Sequence, residues 1–342
     1  MINSKITVFD IGIFYAEANT TMIVGLLAMV LNLIVGVAFI KGKRLNTPAS
    51  LFLANLTVTD LVCALSLILD SITNYILLKM PMNTQYVDSL CKFSNFLCGL
   101  SYITLSASLS GLSTERYNVI VRTKSKGFQI RTAKIMVGLI WIYGAVVATP
   151  LVFVFGINVI IEDKVTNYSR CVLLPENSTF NTIYYSAGFI GLFLLPFMSM
   201  LYAYYKIAMR IYSNKRPGES AIRVMTTREK SKRRQIIILF FMSMAFMLSS
   251  LPYFVLLLIV PIYSLDGINI YHESRIFWIM YVTAKLLYTC SCLYDPILYN
   301  FIRLNFRKSF KDTFNPCSPK PKAQIHPTGS SKVGTTEIVG FK

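Results

Sequence analysis

Charge is what this chain of 342 residues has least of. Asp, Glu, Lys and Arg together make up 15% of it, where a soluble domain carries roughly 25%. With 54% hydrophobic residues and a mean hydropathy of +0.54, a water-soluble fold would expose too much apolar surface. Histidine is nearly missing. Its two copies, His272 and His326, fall in a loop and in the tail, and no catalytic triad or metal cluster can be assembled, so the chain does not read as an enzyme. The seven cysteines show no zinc-finger spacing, and no basic stripe lies inside a compact polar domain. The net charge of +18 therefore makes no case for nucleic acid as a partner. Duplicated halves, which many transporters have, are missing, as is the ten-residue alternation of a membrane β-barrel.

What the chain does have is length of apolar run. A helix needs about 20 apolar residues to cross the hydrocarbon core. Seven stretches qualify, near 21–40, 50–73, 91–120, 134–154, 182–212, 235–262 and 274–301. Continuous runs favour helices, so the expected fold is an all-α membrane protein, a seven-transmembrane helix bundle. Of the 34 Lys and Arg residues, 26 lie in the loops and tail of one side. The positive-inside rule makes that side cytoplasmic and puts the N-terminus outside. Attraction to anionic lipid of the membrane works in the same direction. The expected location is the plasma membrane, crossed several times.

Other motifs agree with that orientation. Sequons at Asn19, Asn167 and Asn177 fall on the outer side; each is a weak signal alone. A fourth, at Asn55, lies inside segment 2 and should stay unmodified. No cleavable signal peptide is evident, since segment 1 can itself anchor the chain. Cys91 and Cys171 are both expected outside, where a disulfide persists, and such a bridge would pin the loop after segment 4 over the mouth of the bundle. Cys317 follows the amphipathic stretch FIRLNFRKSFKDTF and is either palmitoylated or free.

Ionisable groups within the hydrocarbon are costly and usually face the bundle interior. Asn32, Asp60 and Asp295 sit toward the cytoplasmic half of segments 1, 2 and 7. They either share one polar cluster around water or a cation, or are buried separately. Asp70 and Lys285 lie at a similar outer depth, each ten residues from Asp60 or Asp295. Lys285 has three options: pairing with Asp70, snorkelling to the interface, or meeting an anionic ligand group. Pro150, Pro196, Pro252 and Pro296 fall inside or near the ends of segments, where proline frees a carbonyl and kinks a helix.

Across about 21–310 these residues resemble the rhodopsin-like (class A) G-protein-coupled receptors. Asn32 is similar to the helix 1 asparagine and NLTVTD, ending in Asp60, to the helix 2 motif. Glu115, Arg116 and Tyr117 resemble the acidic–Arg–Tyr motif that closes helix 3. Trp141, Pro196 with Tyr204, and Phe246 with Pro252 follow in helices 4, 5 and 6. Asp295, Pro296 and Tyr299 resemble the Asn/Asp-Pro-x-x-Tyr motif of helix 7, and Phe306 the phenylalanine that starts a short eighth helix. The joint order is far more specific than any one motif. The implied division is an extracellular N-terminus at 1–20, the seven-transmembrane domain at 21–301, amphipathic helix 8 at 302–315 and a disordered cytoplasmic tail at 316–342.

The departures narrow the ligand. Ser250 replaces the helix 6 tryptophan, leaving Phe246 more of that sensor's role. Cys98 replaces the aspartate that anchors amines. The lysine that carries retinal in opsins would fall at Thr289, one turn from Lys285, so covalent retinal is not expected. Leu105 replaces a serine that helps ligate sodium, so an allosteric sodium ion would depend on Asp60 and Asp295. Lys232 replaces the acidic helix 6 partner of Arg116. Asp70, Cys98, Ser250 and Lys285 are the candidate ligand pocket. The implied function is transmission of an extracellular ligand signal to heterotrimeric G proteins, with receptor kinase and arrestin as further partners and Ser318, Thr328, Ser330 and Ser331 as candidate phosphorylation sites. The rival readings are a seven-helix transporter or channel, and a receptor-like partner protein that no longer signals.

Overall fold

The computed structural model describes residues 8–41, 46–79, 85–122, 127–162, 167–174, 178–213, 227–262 and 275–302. The helices are α1 (Val8–Lys41), α2 (Pro48–Lys79), α3 (Gln85–Ile120), α4 (Ile130–Ala148), α5 (Leu151–Val154), α6 (Ser178–Gly188), α7 (Leu195–Ser213), α8 (Thr227–Ile262), α9 (Arg275–Thr289) and α10 (Tyr294–Ile302). A π-helical turn, Phe189–Leu194, joins α6 to α7, and a 3-10 turn, Cys290–Leu293, joins α9 to α10. Seven crossings result: α1, α2, α3, α4–α5, α6–α7, α8 and α9–α10. Among the described residues, six of them are long and apolar enough to span a bilayer by composition. The seventh carries Lys285 and Asp295 and is interrupted by its 3-10 turn. The expected eighth helix, Cys317 and the tail lie outside the described residues.

The bundle is apolar on its outside as well as its inside. On α1, Ile23, Leu26, Leu27, Val30 and Leu33 are exposed while Ala28, Asn32, Val35 and Ala38 are buried. The outward stripe suits lipid, and the inward one admits small and polar residues. α3 lies at the centre, packed against α2, α4 and α7. Its approach to α4 depends on Gly144, where a Cβ would stand 2.8 Å from Thr104 Cγ2.

Two features depart from a plain set of seven segments. α1 begins at Val8, well before 21, so Asn19 lies within the helix, on its exposed side. The segment after α5 forms an antiparallel hairpin, β1 (Phe155–Glu162) with β2 (Asn167–Leu173). β1 is rich in the β-branched and aromatic residues that favour extended chain.

Proline shapes the fifth and seventh crossings in the same way. Having no N–H, Pro196 and Pro296 free the carbonyls four residues earlier, those of Leu192 and Cys292. Each is taken by a side chain from another helix: Ser106 Oγ donates to Leu192 O at 3.1 Å, and Asn32 Nδ2 to Cys292 O at 3.1 Å. The π-helical and 3-10 turns sit just before these two prolines, as local helix adjustments do when the ladder is broken. Pro150 instead ends α4 and stands before α5.

Candidate functional site

The hairpin end of the bundle is tied down three times. Cys91 and Cys171 form a disulfide, with Cα atoms 5.6 Å apart. Asp88 accepts from the Ile157 N–H at 3.3 Å and pairs with Lys92 at 2.6 Å. Arg170, on β2, reaches Glu17 of α1 at 2.6 Å. Its guanidinium also lies 4.6 Å from the Phe14 ring centroid, a cation–π distance.

Glu17 and Arg170 belong to a larger group. Lys285 Nζ bonds Glu17 Oε1 and Asp70 Oδ2, each at 3.1 Å. Two carboxylates and two cations, from α1, α2, β2 and α9, thus neutralise one another. Glu17 is 3% exposed and Arg170 5%, so neither relies on water. Of the three options for Lys285, the structure takes pairing with Asp70 and adds a second carboxylate, Glu17. An amine held this way is also poorly placed for a Schiff base.

Beside this quartet is a cavity of about 80 Å³. Cys98, Tyr102, Tyr185, Tyr253, Phe254 and Tyr288 are among its walls, and no Asp, Glu, Lys or Arg is among the described residues that line it. A smaller cavity of about 40 Å³ adjoins it, with Asp70, Cys98 and Lys285 on its walls. Cys98 and Tyr288 meet at 3.5 Å between Sγ and Oη. The hydroxyls of Tyr102 and Tyr185 are buried and have no hydrogen-bond partner among the described residues. Such groups favour a ligand that brings one. Ser250 is outside the walls of both cavities: it is fully buried and donates to the Phe246 carbonyl of its own helix at 2.6 Å.

The aromatic centre below the cavity is Tyr102. Its ring lies 4.4 Å from Phe254, 5.3 Å from Phe246 and 5.8 Å from Tyr288. It joins α3, α8 and α9 in one contact, and sequence reasoning did not single it out. Phe246 is part of this group and is 3% exposed.

Halfway down the bundle, Asn32, Asp60 and Asp295 are all buried. Asn32 Nδ2 is used by the Ala28 and Cys292 carbonyls. The Asp60 and Asp295 carboxyls are close enough to interact electrostatically. Yet Asn32 Oδ1, both Asp60 oxygens and Asp295 Oδ2 have no donor within hydrogen-bonding geometry among the described residues. An oxygen-rich site with orphaned acceptors fits a hard monovalent cation. Leu105 is buried in the apolar core and offers no oxygen. Next to this site, Asn55 donates to Ser108 at 2.7 Å and accepts from Trp141 Nε1 at 2.8 Å. That buried role explains a sequon set inside a span.

At the basic end of the bundle, Arg116 Nε is 3.4 Å from Glu115 Oε2. It is an ion pair without hydrogen-bond geometry, since both atoms are otherwise unbonded. No other ion-pair partner of Arg116 occurs among the described residues. The side chains of Lys232 and Tyr299 lie outside them. Tyr117 stacks loosely on Tyr202 with ring centroids 6.2 Å apart and lies under Arg122. Tyr204 contacts Ser243 of α8 at 3.4 Å and the Phe240 ring. α8 continues through Pro252, which is exposed. Asp295 and Pro296 are buried at the start of α10. Asn177 and the side chain of Asn167 lie outside the described residues.

Comparison with known proteins now bears on this arrangement. Residues 31–299 match the family described as 7 transmembrane receptor (rhodopsin family). The chain is 24% identical to Neuropeptide FF receptor 2 of Rattus norvegicus, over 87% of this chain and 72% of that protein. It is 25% identical to Neuropeptide Y receptor type 2 of Macaca mulatta, over 84% and 73%. It is 24% identical to Tachykinin-like peptides receptor 99D of Drosophila melanogaster, over 84% and 54%.

Proposed function

Because the chain belongs to the rhodopsin family of seven-transmembrane receptors, we propose that it carries an extracellular peptide signal to heterotrimeric G proteins. The family consists of receptors and not enzymes, so the output is a change of shape passed to a partner. Relatives named for neuropeptide and tachykinin-like ligands support a peptide. The observation that carries the reading is the alignment, in one bundle, of an outer cavity with orphaned tyrosine hydroxyls and a basic end where Arg116 has Glu115 as its one ion-pair partner among the described residues.

The cavity specifies which part of a peptide reaches it. Its walls hold no charge and the neighbouring charges cancel, so the inserted end is apolar or aromatic and uncharged. It carries a hydrogen-bonding group for Tyr102 or Tyr185. An agonist shifts the equilibrium by preferring the active bundle. Pressure on Tyr102 reaches α8 through Phe246 and Phe254. α8 then swings outward about Pro252, Tyr204 and Tyr299 turn inward, and Arg116 leaves Glu115 for the G protein. Asn32, Asp60 and Asp295 would hold a sodium ion, which would supply neutralising charge to the closed state. In this reading the N-terminus is extracellular, the membrane is the plasma membrane, and Asn19, Asn167 and Asn177 are glycosylation sites. The tail lies in the cytoplasm, with Cys317 a palmitoylation site and receptor kinase and arrestin as its partners.

The test is a neuropeptide panel applied to cells expressing the chain, read by G-protein dissociation. Tyr102→Phe or Tyr185→Phe, whichever removes the hydroxyl that the peptide uses, should weaken the response of an active peptide about tenfold, as loss of one buried hydrogen bond does. Absence of response across all G-protein classes, with the protein at the cell surface, would refute the receptor reading.

A further inference from the structure

Another concavity lies far from the ligand cavity. A cleft of about 640 Å³ lies between the ends of α7 and α8 at the basic end of the bundle. Tyr205, Ala208, Met209 and Tyr212 form one wall, Ile237 and Phe240 the other. Tyr205, Met209, Tyr212 and Ile237 are exposed, so the cleft opens sideways to the bilayer, while the buried Tyr204 and Ile207 line its inner side.

Its chemistry changes along its length. Most of the wall is apolar. Arg233 also lines the cleft, and the basic run Lys232, Arg233 and Arg234 directly precedes the apolar stretch that continues from Ile236. Such a flank suits headgroup depth. Lys206 Nζ lies 6.0 Å from the centroid of Tyr205, a wall residue. No carboxylate is among the described lining residues. An apolar slot that is continuous with hydrocarbon and ends in cations is complementary to an acidic amphiphile.

We propose that this cleft binds an anionic glycerophospholipid, with one acyl chain between α7 and α8 and its phosphate on Arg233. In the proposed orientation the lipid comes from the cytoplasmic leaflet. The site does not depend on the receptor reading, but it has a consequence for it. The occupant separates α7 from the helix that is to move, so it sets the resting gap between them.

General attraction of a basic surface to anionic lipid is the competing account, and it depends on charge alone. The test uses full-length protein in detergent with equal amounts of phosphatidylserine and phosphatidylcholine, and native mass spectrometry to count retained lipid. Wild type should retain one phosphatidylserine in preference to phosphatidylcholine. Ala208→Trp fills the slot and removes no charge; Ile237→Trp does so from the opposite wall, should the first variant fail to fold. Arg233→Gln removes the charge and leaves the slot. Each should lower phosphatidylserine retention, R233Q by about fivefold, the effect of one interfacial cation. Equal retention of the two lipids by wild type would overturn the proposal. So would wild-type retention by a folded slot-filling variant, because that would leave surface charge as the whole explanation.

Discussion

α2 and the seventh crossing meet at two depths, and each meeting buries carboxyl groups. Ten residues separate Asp60 from Asp70 on one helix and Lys285 from Asp295 on the other. At the outer depth, Asp70 and Glu17 are closed by Lys285 and Arg170. At the inner depth, Asp60 and Asp295 face each other, and among the described residues no Lys or Arg pairs with them and no donor reaches three of their oxygens. The same two helices thus carry one satisfied and one unsatisfied acidic site. A buried charge that loses its partner is expensive, so the outer site resists rearrangement. The inner site has little to lose by moving, and a change of helix packing can relieve it. In the proposed mechanism the difference separates a clamp from a switch.

The comparison breaks most directly at Glu17. Glu17→Ala leaves Arg170 and Lys285 with one carboxylate between them. The expected cost is about 3–5 kcal/mol, read as a large fall in melting temperature of the purified protein or loss of surface expression. E17A and K285M should combine to less than the sum of their separate losses, because they break a shared contact. Strict additivity would mean the two side chains do not interact.

At the inner site the sign reverses. In sodium-free buffer, Asp60→Asn replaces one of two facing buried carboxyls, which oppose each other's ionisation, and supplies an amide donor. Stability should rise by about 1 kcal/mol, while agonist response falls because the switch has lost its tension. A melting temperature that drops as far as that of E17A would erase the distinction between the two depths.

These two sites also show what was legible in the sequence. Asp60, Asp70, Lys285 and Asp295 stand out because charge inside an apolar run is visible from the run itself. Glu17 does not. It follows Asp10 and precedes Asn19 in a stretch too polar to read as a span, and its partner Arg170 is 153 residues away. No local pattern announces such a contact. Arg170 looked like one more loop charge for the same reason. The hairpin and the long start of α1 were hidden together, since each is fixed by the other through Arg170 and Glu17. Asn55 was visible only as a sequon that should stay unmodified, because its bonds to Ser108 and Trp141 join three crossings. The seven spans, by contrast, follow from length and hydropathy, and the bridge of Cys91 to Cys171 from their shared side of the membrane.

Smaller effects sharpen the switch side. Ser106→Ala takes the hydroxyl from the carbonyl that Pro196 frees. The expected loss is about 0.6 kcal/mol, typical of an interhelical hydrogen bond in a membrane, and a thermal melt should resolve it. Glu115→Gln weakens the one ion pair described for Arg116. Basal G-protein signalling should then rise about twofold at equal surface expression, a modest shift of a two-state equilibrium. Unchanged basal signalling would take the restraint on Arg116 away from Glu115.

The central claim is that this bundle passes a peptide signal from the outer cavity to a G protein through Arg116. The most direct measurement is GDP–GTP exchange on purified heterotrimeric G proteins by the reconstituted chain, with a neuropeptide panel, for wild type and R116A. The account predicts peptide-stimulated exchange by wild type and its loss in R116A at unchanged peptide binding. Stimulated exchange that survives in R116A, or peptide binding with no exchange on any G-protein class, would contradict it.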